Sequence, residues 1–478
     1  MRSTRLEIRS EDAELFEKCG LPSRKAAKLS LLDYDKVAEN VLQYLENHGY
    51  PFANVSLQTV KNADSTFSYY LNVDKNRYVQ IDSIVVKGNA RIRQSFLRPY
   101  LGFKKKTQYS EKEIGAIGKK IASLPFVTEV QPSGISFVED RTLLYIYIDR
   151  RKTNRFDGYI GFQPESSSSG RLSVTGEVSL ALQNMMRVGE TISLLWRSSE
   201  RHSQYLSVDA AFPCLFYTRF GVDAAFELDK HDTSYLTLDF NVGIPYKFRN
   251  DCEIRPFFTY SKSQTLGAKP LESLAYTDFR KTLYGISARY TALDYMLNPR
   301  KGVDVSFEAA AGVRTSTSND ILQDVPSSVG RQTSFTLQGE AAGYIPFAKH
   351  FTIALRVRSG SLFDGVHYVN EMFRIGGRDF VRGFTNNELL ASTYLMGSGE
   401  LRYLFGSNSN VHIFFDGGVY ERNCAGDYLF DTPFGFGLGV DIGVKSGVFY
   451  FEYALPRQRG NNISFKTGKI HFGVKAVF

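Results

Sequence analysis

The chain has 478 residues, 43% of them hydrophobic, with 58 Lys and Arg against 50 Asp and Glu for a formal net charge of +8. That length allows more than one domain. The positive charge is spread thinly, with no basic cluster interleaved with aromatics, which argues against nucleic acid as a partner.

The densest basic run, Lys104 to Lys106, reads as a solvated loop. Cys19, Cys214, Cys252 and Cys424 lie far apart without C-x-x-C spacing, and whether Cys214 pairs with Cys252 is open. No H-E-x-x-H helix, G-x-S-x-G elbow or phosphate-binding glycine loop occurs, so neither a cofactor nor an enzymatic activity is expected. No apolar run reaches the roughly 18 residues a transmembrane helix needs, which leaves strands as the only route through a membrane. The segment Met1 to Arg9 lacks a charged region followed by an apolar core, so the chain as given starts without a signal peptide, and an exported protein would have its native start elsewhere.

In chain order, a short strand at Thr4 to Arg9 and a weakly patterned helix at Asp12 to Lys18 come first. From Asp35 to His48 the residues Val37, Val41, Leu42 and Leu45 recur at helical spacing, with Gly49 placed as the C-terminal cap. Strands at Phe52 to Gln58 and Thr66 to Val73 close this first unit. The pattern then repeats with a strand at Val79 to Lys87 and a helix at Arg93 to Leu101. A second helix opens on Ser110-Glu-Lys-Glu113, a capping box in which Ser110 and Glu113 satisfy each other's free backbone N–H groups. Ile114, Ile117 and Ile121 form its buried stripe, and strands follow at Val127 to Val130 and Leu143 to Ile148. The expected domains are two α+β repeats, residues 1–76 and 77–150, and a third region over 151–478.

From Phe156 onward the pattern has period two, the signature of strands with one apolar and one polar face. In Phe434 to Val444 the even positions are large and apolar while the odd ones are Gly or Asp. Phe351, Ile353, Leu355 and Val357 oppose Arg356 and Arg358, and Tyr235 to Val242 and Val303 to Ala309 follow the same rule. Segments of about ten residues between turn signals suggest about sixteen antiparallel strands, an even number that suits an all-β transmembrane barrel without unpaired edges. Short connections at Asn184 to Gly189 and Pro346 to His350 alternate with long ones at Arg314 to Gly330 and Leu362 to Glu388. The chain ends in a strand with Ile470, Phe472, Val474, Ala476 and Phe478 on one face, free to close against the first strand. A large soluble β-sandwich also alternates, but so many long strands without a domain break, and 14% aromatics, suit lipid-facing girdles better.

The segment Phe373-Arg-Ile-Gly-Gly-Arg-Asp-Phe-Val-Arg-Gly-Phe384 resembles the sixth-loop signature of the BamA/TamA-type outer-membrane assembly superfamily, with Gly376, Gly377, Val381, Arg382, Gly383 and Phe384 on its motif positions. Glu400 and Asp416 are similar to that family's acidic positions on strands twelve and thirteen, and alternation turns both inward. Gly49-Tyr-Pro-Phe-Ala53 and Ile84-Val-Val-Lys-Gly-Asn89 resemble the polypeptide-transport-associated (POTRA) repeats. Asp294, Pro299 and Gly302 look like the turn before strand nine, Ala211 to Phe216 like the turn after strand four, and Gly447 to Pro456 like the penultimate strand.

The resemblance implies a bacterial outer-membrane barrel with POTRA repeats in the periplasm, the loop folded into the lumen and Arg382 paired with Glu400 and Asp416. It implies insertion or translocation of unfolded outer-membrane or secreted polypeptides without nucleotide consumption, in contact with outer-membrane lipid and with periplasmic accessory proteins at the repeats. A seam between the first strand (Asp157, Tyr159, Gly161) and the last (Phe472, Val474, Ala476, Phe478) could open and accept a client strand. Gly158 and Gly161 weaken that first strand, as does the Ser166 to Ser169 loop, or else the glycines merely fit barrel curvature. Only two repeats fit, fewer than general assembly factors commonly carry, and nothing resembles a patatin hydrolase domain. The alternatives are a pore secreting one dedicated partner, a passive porin, and an enzyme using the inward carboxylates Glu452 and Asp441, which are ordinary charges for a barrel lumen.

Overall fold

The structure, a computed structural model, describes residues 6–7, 15, 19, 34–61, 67–104, 106–138, 141–164, 172–198, 203–232, 234–249, 251–266, 276–295, 298–317, 330–363, 365, 367–385, 387–406, 408–424, 427–444, 447–457, 463 and 468–476. It forms two compact units, Met1–Lys152 and Thr153–Phe478.

In the first unit, helix Tyr34–Glu46 buries Val37, Val41 and Leu45 against Leu71 of a sheet made by Asn54–Lys61 and Phe67–Asp74, with Leu6–Glu7 added in parallel. Leu15 packs into the same cluster, while the rest of the helix expected at Asp12 to Lys18, like Lys105 and the Ser166 to Ser169 loop, lies outside the described residues. The second sheet runs Ser83–Lys87, Arg141–Arg150, Val127–Val138, its first pair parallel and its second antiparallel. Helix Gln94–Leu101 fully buries Phe96, Leu97 and Leu101 and ends at Gly102, whose φ of 91° a residue with a Cβ adopts only at a cost.

Two expectations need correction here. The strand read as Val79 to Lys87 breaks at Asp82, because its carboxylate accepts the Thr142 N–H at 2.8 Å and turns Gln80–Ile81 aside to pair with Thr107–Gln108. The helix opened by Ser110 breaks at Ala116 into Glu111–Gly115 and Ile117–Ala122, so Ile117 and Ile121 are fully buried but Ile114 only half. Ser110 Oγ does accept the Glu113 N–H, at 3.4 Å, but the Glu113 carboxylate takes Lys120 Nζ at 2.7 Å, so the cap is one-sided.

The second unit is a closed antiparallel barrel. Its strands are β1 (Arg155–Pro164), β2 (Leu172–Gln183), β3 (Thr191–Ser198), β4 (Gln204–Phe212), β5 (Val222–His231), β6 (Tyr235–Gly243 and Tyr246–Arg249), β7 (Cys252–Thr265) and β8 (Asp278–Leu293). They continue as β9 (Gly302–Thr317), β10 (Gly330–Ala348), β11 (Phe351–Leu362), β12 (Thr393–Gly406), β13 (Ser409–Cys424), β14 (Asp427–Asp431 and Phe434–Val444), β15 (Gly447–Arg457) and β16 (Lys469–Ala476). Two of the sixteen strands are interrupted, β6 at Pro245 and β14 at Pro433, where proline supplies no N–H to the ladder, and both resume against the same neighbour. β16 lies beside β1 and completes the circle.

The alternation in the sequence maps onto two surfaces. Leu355, Val357, Ile413, Phe415 and Leu438 are exposed on the outside, whereas Thr352, Ala354, His412, Phe414 and Asp416 between them are buried inside. An apolar exterior over a polar interior is what hydrocarbon demands of a closed barrel. Among the described residues no helix is long and apolar enough to cross a membrane.

Connections sharpen in detail. β10 runs through Pro346 to Ala348 with a register shift, leaving a tighter turn than Pro346 to His350. Arg314 is not a loop residue. β9 extends to Thr317, and Arg314 points into the barrel, fully buried against Glu371 at 2.8 Å. The turn before β9 is tied by Asp294, whose Oδ1 accepts the Arg300 and Lys301 N–H groups at 3.0 and 3.2 Å. Cys214 and Cys252 are both free thiols, and burial pushes that of Cys214, in the turn after β4, up to about 11.

Leu438 sits mid-strand on the outer face of β14 and is 58% exposed. Leu438→Arg should cost about 2–4 kcal/mol if that face meets lipid, read as a lower unfolding midpoint in vesicles by gel mobility of the folded barrel. An unchanged midpoint would fit a solvated sheet instead.

Candidate functional site

The connection between β11 and β12, residues 363–392, turns back into the barrel. It carries a 3-10 turn, Val369–Glu371, and a short antiparallel pair, Phe373–Ile375 with Leu389–Ala391. Ile375, Val381, Phe384, Leu389 and Ala391 form an apolar core with Tyr394 and Met396 of β12 and Tyr420 of β13. Gly376, Gly377 and Gly383 have φ of 116°, 84° and 96°, the left-handed region that glycine occupies without strain. Gly383 is constrained twice, since a Cβ there would lie 2.9 Å from Pro456 Cβ.

Arg382 is the centre of the site and is 3% exposed. Its Nε and Nη2 donate to the two carboxylate oxygens of Asp416 at 2.6 and 2.7 Å, a bidentate pair, and its backbone N–H donates to Asp416 Oδ2 at 3.0 Å. Nη1 lies 2.7 Å from Glu400 Oε1 and 3.4 Å from Glu452 Oε1, and Nη2 donates to Ser398 Oγ at 3.1 Å. The guanidinium carbon stands 3.6 Å from the centroid of the Phe414 ring, so the cation also meets a π face. Glu400 is shared with Arg402 at 2.6 Å. The two carboxylates singled out in the sequence thus meet Arg382 together, from β12 and β13.

The sequence turns Glu452 and Asp441 inward but does not reveal them as partners of the loop. Glu452 of β15, fully buried, receives Arg378 Nε at 3.1 Å and His412 at 3.3 Å in addition to Arg382. Arg378 also reaches Asp441 at 3.3 Å and lies 4.0 Å from the Tyr450 ring centroid. Glu452 and Asp441 are therefore charge partners of the loop rather than isolated lumen charges. Gly435 belongs to the site as well: a Cβ there would fall 1.9 Å from the Arg382 carbonyl oxygen. The alternating glycines of β14 are visible in the sequence, but only Gly435 lies against the loop; a Cβ at Gly437 or Gly439 would instead meet Tyr453 and Phe414 or His412 and Glu452 of the neighbouring strands.

The same connection reaches several strands. On β16, His471 Nε2 accepts the Gly383 N–H at 3.1 Å and Lys469 Nζ pairs with Glu388 at 2.8 Å. Toward the opposite wall, Asn370 donates to Ser263 of β7 at 2.8 Å, Arg374 donates to the Tyr235 hydroxyl of β6, and Glu371 meets Arg314. At the seam, Asp157, Tyr159 and Gly161 pair through the backbone with Ser179, Glu177 and Thr175 of β2, while Phe472, Val474 and Ala476 pair with Phe451, Phe449 and Gly447 of β15. Phe472 faces outward and is 71% exposed. The side chains of Asp157, Tyr159, Val474 and Ala476, and the whole of Phe478, lie outside the described residues.

A sixteen-stranded barrel with an internal arginine-anchored connection defines a class of bacterial outer-membrane proteins that insert or translocate polypeptides. The chain belongs to the Omp85 superfamily, whose domain matches residues 134–476. By structure it is similar to BamA from Haemophilus ducreyi lacking POTRA domains 1-3, at 15% identity and a TM-score of 0.53 over 99% of this chain and 98% of that one. It is also similar to CdiB from Escherichia coli (14%, TM-score 0.61, 98% and 88% covered) and CdiB from Acinetobacter baumannii (12%, 0.56, 99% and 87%). No curated protein matches the sequence.

Removing Arg382 leaves Asp416, 1% exposed, without its counter-ion and takes one of three cationic or imidazole partners from the fully buried Glu452. Arg382→Ala should destabilise the barrel by about 3–5 kcal/mol, and Arg382→Lys should recover little of it, because a point charge cannot make the bidentate pair. Both read out as unfolding midpoints in detergent. Gly435→Ala should displace the loop while leaving every charge in place, seen as new protease cleavage within 363–392. Continued protection of that segment would contradict the packing role assigned to Gly435.

Proposed function

We propose that the chain inserts polypeptides into the outer membrane by offering clients a strand edge at the β1–β16 seam, with its N-terminal repeats in the periplasm and without catalysis or a cofactor. The observation that carries this reading is the lumenal connection. It occupies the barrel interior from β6 and β7 across to β16, through Arg374, Asn370, Arg382 and Glu388. A barrel braced internally in this way is suited to work at its wall rather than through its centre. The first and last strands are the natural opening, since no covalent turn joins them and a separated strand presents unpaired N–H and C=O groups to an incoming segment. Gly158 and Gly161 in β1 lower the cost of separation.

The repeats would receive clients or periplasmic accessory proteins at their sheet edges. Asn54–Lys61 lies at the edge of the first sheet and Val127–Val138 at the edge of the second. Register shifts around Gln131 blunt the second edge, which favours the first for strand addition.

A disulfide between Asp157→Cys and a cysteine placed near Ala476, in a chain whose four native cysteines are replaced, should abolish client insertion when oxidised and restore it when reduced. Undiminished insertion by the locked barrel would remove the seam from the mechanism. Secretion of one dedicated partner through the lumen, the competing reading, requires instead that Arg382→Ala strongly change conductance.

A further inference from the structure

The outer wall of the barrel carries a groove that neither the lumen nor the seam uses. On the outward face of β9 the residues Ala309 and Ala311 are small, whereas the facing positions on β8 are Tyr284 and Ile286 and those on β10 are Phe335 and Leu337. Phe363, just beyond β11, continues the far wall through its N–H, which donates to the Phe335 carbonyl at 2.9 Å. The alanines become the floor of an open apolar trough of about 670 Å³, within the size range of small-molecule sites. Phe307, two positions before Ala309 on the same strand and 52% exposed, continues the apolar face beyond the trough at one end.

The other end carries charge. Following the same outward face, the rows beyond Tyr284–Ala311–Phe335 are Thr282–Val313–Thr333 and then Arg280–Thr315–Arg331. Arg280 and Arg331 are exposed and flank Thr315 on neighbouring strands. Two strand spacings put their backbones about 10 Å apart, roughly 13 Å along the strands from the alanine floor. Neither arginine makes an ion pair among the described residues, while the inward arginines of the same wall, Arg314 and Arg358, are both engaged. Cations on the outer face of a membrane barrel are costly near its midplane and tolerated near the interface, where anionic headgroups lie. Alternation places both arginines at the ends of their strands, beside the long β7–β8 and β9–β10 connections.

The geometry points to a bound membrane lipid with an anionic phosphate headgroup, its phosphate between Arg280 and Arg331 and one acyl chain lying in the Ala309–Ala311 trough. The size of the apolar trough and the two cations two rows beyond one end of it fit one amphiphile of that polarity. A free phosphate would leave the trough empty, and an apolar protein segment would leave the arginines unmatched. The outer leaflet is the expected source, which rests on the orientation proposed above. The binding itself does not depend on that orientation or on insertion activity.

The test uses the full chain in nanodiscs of phosphatidylcholine with one tenth phosphatidylglycerol, extracted and examined by native mass spectrometry for retained lipid. Phosphatidylglycerol should be retained over phosphatidylcholine beyond its share. Retention should fall at least tenfold in Arg280→Gln/Arg331→Gln and, by filling the trough, in Ala309→Leu/Ala311→Leu. Both variants lie on the outer face, and gel mobility of the folded barrel verifies each one before the comparison. Equal retention of the two lipids, retention unaffected by either variant, displacement by inorganic phosphate alone, or a dimer lost on filling the trough would each overturn the proposal. Insertion activity can fail in the seam-locked protein while lipid retention persists, which separates this site from the seam mechanism.

Discussion

The architecture of the barrel interior turns on one desolvated cation. A guanidinium that is 3% exposed forfeits most of its hydration, and only a close set of carboxylates can offset that loss. Asp416 does so with two parallel hydrogen bonds, Glu400 and Glu452 with one oxygen each, and Phe414 with its ring face. The backbone N–H of Arg382 goes to the same Asp416 oxygen as its Nε, so the side chain and the main chain of the loop share one anchor. Such an arrangement has a single register. Shifting the loop by one residue would bring Val381 to the carboxylates and send the arginine into the apolar core of Ile375, Phe384 and Leu389.

The rest of the interior follows from that register. Gly383 must turn with positive φ beside Pro456, and Gly435 must lack a side chain where the Arg382 carbonyl passes. Arg378, four residues earlier, then falls between Asp441 and Glu452, which brings β14 and β15 under the same loop. Inward positions of a barrel are ordinarily free to vary within a polar palette, because water satisfies them. Here the loop replaces that water along β12 to β16, so the inner face is specified by contacts as closely as the outer face is by hydrocarbon.

The period-two pattern made the barrel legible, because the side-chain alternation of a strand is a local property that a short window reveals. Helical spacing made the repeats legible in the same way, down to the cap at Ser110. What local pattern could not show is partnership. Alternation placed Glu452 on the inner face, but Arg382 is 70 positions away in sequence, and the ion pair exists only because the loop and β15 converge. Arg314 shows the same limit from the other side: its neighbourhood looks like a polar loop, and its strand character comes from pairing with Gln332 of β10. The breaks at Asp82 and Ala116 also have distant or competing causes, a carboxylate bonded to Thr142 in one case and a helix that must redirect Ile117 inward in the other. The arginine motif and the acidic positions on β12 and β13 were recognised through family resemblance, not through spacing.

The barrel is also uneven around its circumference in a way that bears on where it can yield. β8, β9 and β10 have 16, 16 and 19 residues, whereas β1 has 10 and the described β16 has 8. The ladder between β8 and β9 spans 16 residue pairs, so opening there costs many backbone hydrogen bonds. β9 is eight strands from β1 and seven from β16, so the longest ladders stand opposite the seam. On the β16 side, the lumenal loop adds the Gly383–His471 and Glu388–Lys469 ties, which hold that strand to the interior independently of its partner. A wall that opens at the seam under these constraints keeps β16 fixed to the loop and leaves β1 the strand that can move away. The edge presented to a client would then be that of a terminal strand whose position is set from inside by the arginine.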